Sequence, residues 1–370
     1  MRIVITGAGG FIGKNLQIRL SELGYAHTVV LTRSSTSAEI HKALSDADFV
    51  FHLAGVNRPQ DPADFVTSNA TFTQDLCAVL AKTGRKVPVA FASSAQVGLD
   101  NPYGQSKLAA ERALERYSAD TVSPVYIYRL NNVFGKWSRP NYNSAVATFC
   151  HNIARGLPVV VHDTASPLKL VYVGDVVDSF LGLLSAPPAT SGPVDVAPVY
   201  STTVGEVVET LHTFTDSRVS LLTPRVGLGL VGALYSTYIS YLPPQAFGYQ
   251  VSVHRDPRGE FAEMLKTPDC GQFSYFTAHP GVTRGEHYHH SKTEKFLVIK
   301  GTAHFGFRHI MTNEIHELVV RGGEARVVET APGWTHNIAN IGSDELIVML
   351  WSNTIYDPNK PDTIAMKVAL

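Results

Sequence analysis

The first part of the chain alternates short apolar runs with stretches of helical spacing. Residues 2–6 form a β-branched run that ends in glycines, and Leu16, Leu20 and Leu23 then recur at helical intervals. The short apolar run returns at residues 29–32, 49–53, 87–93 and 125–130. This alternation predicts a parallel sheet covered by helices, in a doubly wound α/β domain.

After about residue 250 the pattern changes to short β-rich segments separated by Gly, Pro and Asn. Such segments occur at residues 273–277, 295–299, 303–308 and 345–351. They predict an antiparallel all-β jelly roll or barrel. The tandem Pro243-Pro244 marks the connection, because consecutive prolines stop a helix and stiffen the chain. We therefore predict two domains, residues 1–245 and 246–370.

Composition restricts the classes of function that need to be considered. The chain has 370 residues, and its 31 Lys and Arg against 32 Asp and Glu leave a formal charge of −1. It shows no basic stripe, and no stretch approaches the ~20 apolar residues of a membrane span. Three scattered cysteines suit a reducing compartment. We expect a cytoplasmic protein with no nucleic-acid partner and no membrane insertion.

A glycine-rich turn, TGAGGFIG at residues 6–13, directly follows the first predicted strand. Gly7 and Gly10 let the backbone approach a pyrophosphate, which then lies at the N-terminus of the following helix. The second strand ends at Arg33-Ser34, where an NAD enzyme usually has an acidic residue for the ribose 2′-hydroxyl. A cation and a hydroxyl suit the 2′-phosphate of NADPH instead.

A tyrosine and a lysine with helical spacing follow a strand that ends in two serines. Tyr103 and Lys107 are four residues apart, so on a helix both leave the same face. A nearby ammonium is expected to lower the pKa of the phenol. Tyr103 can then donate a proton to a ketone while Ser94 hydrogen-bonds the same oxygen. The choice of Ser94 over Ser93 rests on alignment with related sequences.

With these motifs, residues 1 to about 245 resemble an extended short-chain dehydrogenase/reductase, a family with a Rossmann-type fold. Further matching segments are His52-Leu53-Ala54-Gly55, Arg129-Leu-Asn-Asn132 and Val171-Tyr-Val-Gly-Asp175. The resemblance implies that NADPH is bound and the ketone reduced in this domain. It assigns the cofactor contacts to Gly7, Gly10, Phe11, Ile12, Arg33, Ser34, Leu53, Ala54, Tyr103 and Lys107. It also implies a bound nucleotide-sugar, with Asn132 among the substrate contacts.

The segment after Asn132 mixes cations, an aromatic ring and amides. Lys136, Arg139 and Asn143 lie there with Trp137 among them. Such a set suits a diphosphate and a nucleobase. The alternative is a polar surface loop without a ligand.

Three histidines and a glutamate provide a second constellation in the C-terminal part. His287 and His289 alternate, so on a strand both face the same side, while Glu294 opens the next strand and His336 lies on another. Three imidazoles and a carboxylate suit Zn²⁺, or Fe, Ni or Mn. The spacing G-x5-H-x-H-x4-E-x6-G, followed by PG-x2-H-x3-N, resembles the cupin pattern. His290 is a spare imidazole that can replace His289.

The same part is similar to the cupin epimerases that act at C3 and C5 of nucleotide 4-keto-6-deoxysugars. The similarity lies in Asp256-Pro-Arg258-Gly and in Arg284-Gly-Glu-His287. It implies that His287 is a base that removes the proton next to the ketone, with Arg258 and Arg284 as substrate contacts. The sequence leaves open whether His287 is a base or a metal ligand.

Over its whole length the chain resembles the CapF-type bifunctional enzymes of bacterial capsule and O-antigen synthesis. The resemblance implies a UDP-linked 4-keto-6-deoxy amino sugar that is epimerised at C3 and then reduced at C4 with NADPH, in a homodimer. Two alternatives stay open. The protein is only a reductase and its cupin a metal-stabilised dimerisation module, or it is a sugar-nucleotide sensor with little turnover.

Overall fold

The computed structural model describes residues 1–247, 249–289, 292–310, 312–331, 333–359 and 361–369. The chain forms two compact units, called here the N-terminal unit (residues 1–211 and 233–242) and the C-terminal unit (residues 212–232 and 243–370). Residues 212–232 thus group with the C-terminal fold, although they precede the predicted border. The reason is backbone pairing, since Thr223 donates to the Lys266 carbonyl and Lys266 donates to the Leu221 carbonyl.

The N-terminal unit contains a parallel six-stranded sheet in the order β2-β1-β3-β4-β5-β8. A second sheet has three strands in the order β6-β7-β9, and in sequence β8 of the larger sheet lies between its last two strands. The strands are β1 (Ile3–Thr6), β2 (Thr28–Leu31), β3 (Phe49–His52), β4 (Val89–Ser94), β5 (Val125–Leu130), β6 (Asn132–Phe134), β7 (Pro167–Tyr172), β8 (Gly192–Pro193) and β9 (Tyr200–Thr203). The predicted strands are confirmed to within about two residues at their ends.

Helices connect these strands. They are α1 (Phe11–Glu22), α2 (Ser37–Ser45), α3 (Ala63–Phe65), α4 (Phe72–Lys82), α5 (Pro102–Thr121), α6 (Ala145–Ile153), α7 (Val173–Ser185), α8 (Val204–Ser220) and α9 (Gly229–Ser240). A π-helical turn, Val66–Thr71, links α3 to α4, and short 3₁₀ turns cover Ala95–Gly98 and Pro244–Ala246. No helix among the described residues is both long enough and apolar enough to cross a membrane.

Both faces of the parallel sheet are buried, because successive strand residues point to opposite sides. On one face Ile3 and Ile5 pack with Leu16 of α1 and Phe180 of α7. On the other face Val4 belongs to a core with α2, α4 and α5. Helices on both sides of a parallel sheet confirm the doubly wound fold that the apolar runs predicted.

The C-terminal unit is built from antiparallel strands, as predicted. One sheet has the order β10-β11-β12-β19-β14-β17 and the other β16-β15-β18-β13-β20. Phe296 of the first sheet and Phe305 of the second lie 6.0 Å apart between ring centroids, in a core that both sheets share. The strands are β10 (Val253–Asp256), β11 (Gly259–Thr267), β12 (Gly271–Ala278), β13 (Thr283–Tyr288), β14 (Glu294–Lys300), β15 (Thr302–His309), β16 (Ile315–Arg321), β17 (Val327–Glu329), β18 (Trp334–Asn340), β19 (Leu346–Ser352) and β20 (Ile364–Ala365).

Candidate functional site

The glycine-rich turn joins β1 to α1 with almost no room for side chains. Gly7 has φ +67°, and a Cβ there would lie 2.6 Å from the backbone nitrogen of Ala54. A Cβ at Gly13 would lie 2.6 Å from the carbonyl oxygen of Gly7. Only glycine fits both positions, so the first turn of α1 can approach the end of β3. The turn thus leaves free N–H groups at a helix N-terminus, which suits a diphosphate.

A cavity of about 1860 Å³ opens beside this turn within the N-terminal unit. The predicted cofactor residues that line it are Gly7, Gly10, Phe11, Ile12, Arg33, Ser34, Leu53, Ala54, Tyr103 and Lys107. Three of the predicted substrate residues, Asn132, Arg139 and Asn143, line it as well. Lys136 is not among the lining residues, and its ammonium lies 4.7 Å from the ring centroid of Trp137.

The end of β4 and the start of α5 place two predicted catalytic side chains in contact. Ser94 is the last residue of β4, and Asn101 caps α5 by accepting from Gly104 N at 2.8 Å. The hydroxyl of Ser94 lies close enough to the phenol of Tyr103 to lower its pKa. Ser93 instead donates to the carboxylate of Glu111 at 2.5 Å. Of the two serines, therefore, Ser94 is the one that meets Tyr103.

Burial determines the protonation of Tyr103 and Lys107. It raises the pKa of Tyr103, and the hydroxyl of Ser94 only partly opposes this. The expected lowering of the Tyr103 pKa by the ammonium is wrong in direction, because loss of water disfavours the phenolate. Lys107 is 5% exposed and donates to the Ala92 carbonyl at 2.9 Å. Burial lowers the pKa of Lys107 to about 8, and the charge of Glu111 opposes that shift.

Two polar residues beside this pair were not identified from the sequence. Glu111 follows Lys107 by one helical turn, is 1% exposed, and accepts from Arg129 Nη2 at 2.7 Å. Its spacing from Lys107 on α5 was the available signal. Asn69 lies on the π-helical turn and donates to the Ser106 hydroxyl at 2.9 Å. We find no sequence pattern that indicates Asn69.

The four predicted metal-binding residues come together in the C-terminal unit. One ligand atom from each of His287, His289, Glu294 and His336 lies within 4.8 Å of all the others. Glu294 opens β14 and His336 lies on β18, as predicted. His287 and His289 both reach the cluster, as expected from their alternation, although β13 ends at Tyr288 and His289 follows it. His290 lies outside the described residues.

The donor set fits a divalent cation. Nδ1 of His289 donates to the carbonyl of Asp362, so its Nε2, 3.2 Å from a Glu294 oxygen, is the nitrogen that can offer a lone pair to a cation. Nε2 of His336 lies 3.4 Å from the same Glu294 oxygen, and Lys292 Nζ lies 2.8 Å from the other. Converging lone pairs and a carboxylate form the usual shell of Zn²⁺ or a similar metal.

Electrostatics keep the cluster in a form that can hold a cation. Burial alone would raise the pKa of Glu294, but contacts with His289 and His336 and the charge of Lys292 lower it far below the usual range. Burial and the neighbouring imidazoles lower the pKa of His287 to about 4. At neutral pH the carboxylate is therefore charged and the His287 ring is neutral.

The two predicted substrate arginines of the C-terminal unit lie on either side of Asp256. Nε of Arg258 donates to both carboxylate oxygens of Asp256, at 3.3 Å to Oδ1 and at 3.1 Å to Oδ2. Arg284 lies 3.9 Å from the same carboxylate, with its guanidinium carbon 5.3 Å from the ring centroid of Phe276. Nε of Arg284 is buried and has no hydrogen-bond partner among the described residues. That N–H remains available for an oxygen of a ligand.

Family comparisons match both units separately. Residues 3–196 match the NAD dependent epimerase/dehydratase family. Residues 254–364 match the polysaccharide biosynthesis C-terminal domain.

A characterised relative matches the whole chain. UDP-2-acetamido-2,6-beta-L-arabino-hexul-4-ose reductase of Pseudomonas aeruginosa is 52% identical over 368 residues, which cover 100% of this chain and 99% of the relative. UDP-glucose 4-epimerase of Bacillus subtilis is 28% identical over 36% of this chain and 53% of its own length.

Among solved structures, one match spans the whole chain and another spans only part of it. The capsular polysaccharide assembling protein CapF of Staphylococcus aureus superposes with a TM-score of 0.92 at 42% identity, covering 100% of both chains. A UDP-glucuronic acid 4-epimerase of Bacillus cereus covers 65% of this chain and 96% of its own, with a TM-score of 0.56 at 19% identity. At this level of identity, the match to the 4-epimerase shows a shared fold and nothing more.

Proposed function

The chain belongs to the NAD dependent epimerase/dehydratase family, and from that premise we propose that it carries out two consecutive reactions on a UDP-linked 4-ketosugar. The substrate is UDP-2-acetamido-2,6-dideoxy-L-arabino-4-hexulose. The C-terminal unit epimerises C3, and the N-terminal unit reduces the C4 ketone to give UDP-2-acetamido-2,6-dideoxy-L-talose. This product serves the UDP-N-acetyl-L-fucosamine branch of capsule and O-antigen synthesis. The resemblance alone supports a homodimer.

The N-terminal residues suit reduction of a ketone. Bound in the cavity, NADPH supplies the hydride that goes to C4 of the sugar. Tyr103 keeps its proton because burial raises the phenol pKa, so it can deliver that proton to the ketone oxygen. The hydroxyl of Ser94 lies near the phenol, whose pKa it lowers, and can hold the same oxygen. Lys107, on the same face of α5, stabilises the phenolate that proton transfer leaves.

Arg33 and Ser34 support NADPH rather than NADH. Both are exposed side chains on the wall of the cavity, directly after β2. A guanidinium there can bind the 2′-phosphate with two parallel hydrogen bonds. An acidic residue would repel that phosphate, and neither position carries one.

The C-terminal residues suit proton transfer at C3. His287 is the only partly exposed member of the cluster, so we assign it as the base that removes the C3 proton. His289, Glu294 and His336, with or without His287, would hold a Zn²⁺, whose positive charge would make the proton next to the ketone easier to remove. Arg284 lies on the same strand as His287, and its unpartnered Nε–H can bind a substrate oxygen.

The order of the two steps has a chemical reason. A proton next to a ketone is acidic only while the ketone is present, so epimerisation must precede reduction. Reduction then removes the acidity and fixes the new configuration at C3. A chain that carries out both reactions can therefore reduce the epimerised ketone before it reverts.

The observation that carries this proposal is the 52% identity to a ketosugar reductase across the full length of the chain. The experiment adds the UDP-4-ketosugar to purified protein with NADPH, follows cofactor oxidation and identifies the product by NMR. We expect stoichiometric oxidation and a product inverted at C3. Reduction without inversion would favour the alternative, a reductase whose cupin serves dimerisation. The relative's own name mentions only reduction.

A further inference from the structure

Residues 361–369, called here the C-terminal strap, run beside the metal-ligand cluster. Their short strand β20 pairs with β13, so that Ala365 lies opposite His287 and Ile364 opposite Tyr288. Val368 is 7% exposed, and a Cβ at Gly306 would lie 3.3 Å from its Cγ1. The strap is therefore packed into the C-terminal unit along the strand that carries one of the four ligands.

The strap determines which nitrogen of His289 carries the proton. Nδ1 of His289 lies 2.5 Å from the carbonyl oxygen of Asp362. A carbonyl can only accept, so Nδ1 carries a proton, and Nε2, 3.2 Å from a Glu294 oxygen, is the nitrogen left to bind a cation in the cluster. The Asp362 carboxylate also accepts from the backbone N–H of Lys292 at 2.9 Å. Both contacts tie the strap to His289 and to Lys292.

The strap also holds the bulge that precedes His287. Glu286 has φ +62° at the point where the register of β13 shifts, a conformation that is strained for a residue with a side chain. Its carbonyl accepts from Met366 N at 2.8 Å, and its carboxylate accepts from Val368 N at 2.7 Å. The other carboxylate oxygen accepts from Asn337 Nδ2 at 3.0 Å. Contacts from the strap thus stabilise the backbone conformation of Glu286, which orients the neighbouring His287.

A buried arginine anchors the strap. Arg308 lies on β15, which carries none of the four ligands, and is 7% exposed. Its Nε donates to the Val368 carbonyl at 2.9 Å and its Nη2 to the Lys367 carbonyl at 2.7 Å. Its Nη1 donates to Asn313 Oδ1 at 2.9 Å. A buried guanidinium with these acceptors cannot release the strap without leaving charged donors unpaired.

We propose that the C-terminal strap is a positioning element of the metal site, which fixes the Nδ1-protonated form of His289 and the bulge before His287. Residues that orient metal-binding histidines in this way typically change metal affinity by about ten- to a hundredfold when they are removed. The inference rests on the proposed metal-binding function of the cluster. Its consequence is that metal affinity depends on residues that do not touch the metal.

The test compares wild-type protein with Arg308→Met and Glu286→Ala. Glu286→Gln keeps an oxygen for Val368 N–H, and Arg255→Met removes an exposed arginine of β10 as a matched control. Zn²⁺ affinity is measured by competition with a chromophoric chelator, and Co²⁺ spectra report the ligand geometry. In metal-free protein labelled with ¹⁵N-histidine, NMR identifies the proton-bearing nitrogen of His289. Circular dichroism shows whether each variant is folded.

We expect Arg308→Met and Glu286→Ala to lose about ten- to a hundredfold in Zn²⁺ affinity, with Glu286→Gln and Arg255→Met close to wild type. The NMR spectrum of wild-type protein should show His289 protonated at Nδ1, and that of Arg308→Met a mixture of both forms. Unchanged affinity and an unchanged tautomer in folded Arg308→Met would overturn the proposal. If Arg308→Met does not fold, Glu286→Ala decides by the same two measurements. Wild-type protein that binds no metal would overturn the proposed metal function as well.

Discussion

The hydroxyl of Ser93 donates a hydrogen bond to the buried carboxylate of Glu111, which Arg129 also binds. This contact occupies the hydroxyl of Ser93, which is why we propose Ser94 as the serine that acts with Tyr103. It also fixes a negative charge one helical turn from Lys107. The pair therefore influences both the proton donor and the protonation of the neighbouring lysine.

The pH dependence of the reduction rate should depend on the negative charge of Glu111, because that charge raises the pKa of Lys107. Burial lowers the pKa of Lys107 to about 8, and Glu111 opposes that shift, so the ammonium is lost as pH rises through about 8. Removing the charge in Glu111→Gln lowers the pKa of Lys107 further. We expect the alkaline limb of the single-turnover hydride-transfer rate to move to lower pH. Glu115→Gln changes an exposed position on the same helix, and its pH–rate profile should match that of the wild type. A profile of Glu111→Gln that also matches the wild type would show that Glu111 does not raise the pKa of Lys107.

Loss of the proton donor should affect only one of the two reactions. We expect Tyr103→Phe to slow ketone reduction by about 10²- to 10⁴-fold, the usual contribution of a positioned general acid. Exchange of the C3 proton should remain at the wild-type rate, because the base proposed for it, His287, belongs to the C-terminal unit. NADPH oxidation and NMR of the C3 proton measure the two separately. Equal loss of both would argue against separate sites.

Cofactor preference should depend on Arg33. In Arg33→Ser the 2′-phosphate loses a charged hydrogen-bond donor, which is worth about 1.5–3 kcal/mol, or about ten- to a hundredfold in affinity. We expect kcat/KM for NADPH to fall by that factor while kcat/KM for NADH stays constant. Arg19→Ser, an exposed arginine of α1 paired with Glu22, is the control. An equal fall for both cofactors would show that Arg33 does not contact the 2′-phosphate.

Metal removal should abolish epimerisation and spare reduction. Dialysis against a chelator removes the cation that the carboxylate and imidazoles hold, so we expect C3 exchange to be lost and to return on adding Zn²⁺. Reduction of a ketone already epimerised at C3 should continue. The melting temperature should also fall, because a ligand that binds only the folded state stabilises it. Chelated protein that still exchanges the C3 proton would exclude a metal from this step.

Much of the fold could be predicted because local pattern determines it. Short apolar runs predicted β1 to β5 of the N-terminal unit and β12, β14, β15 and β19 of the C-terminal unit, and glycine spacing placed the turn at Gly7. The grouping of residues 212–232 with the C-terminal unit could not be predicted, since it depends on backbone pairing with distant Lys266. Periodicity also missed the end of β13 at Tyr288, because a bulge at Glu286 replaces strand alternation before the histidines.

Residue identity indicated which groups lie at the sites, but their protonation needed the three-dimensional environment. Spacing placed Tyr103 and Lys107 on one helix face, yet burial reversed the expected direction of the Tyr103 pKa. Likewise, nothing local distinguishes Ser93 from Ser94, and only the position of Glu111 does so. The contact of Asp362 with His289 joins residues far apart in sequence, beyond the reach of any motif.

The proposed function requires that the chain epimerises its substrate at C3 before it reduces the C4 ketone. Protein and the UDP-4-ketosugar are incubated in D₂O without NADPH, and NADPH is added only afterwards. We predict deuterium at C3 in the first stage, catalysed by wild type and absent in His287→Ala, followed by a reduced product that retains it. Reduction by wild-type protein with no deuterium at C3 would contradict the epimerase assignment.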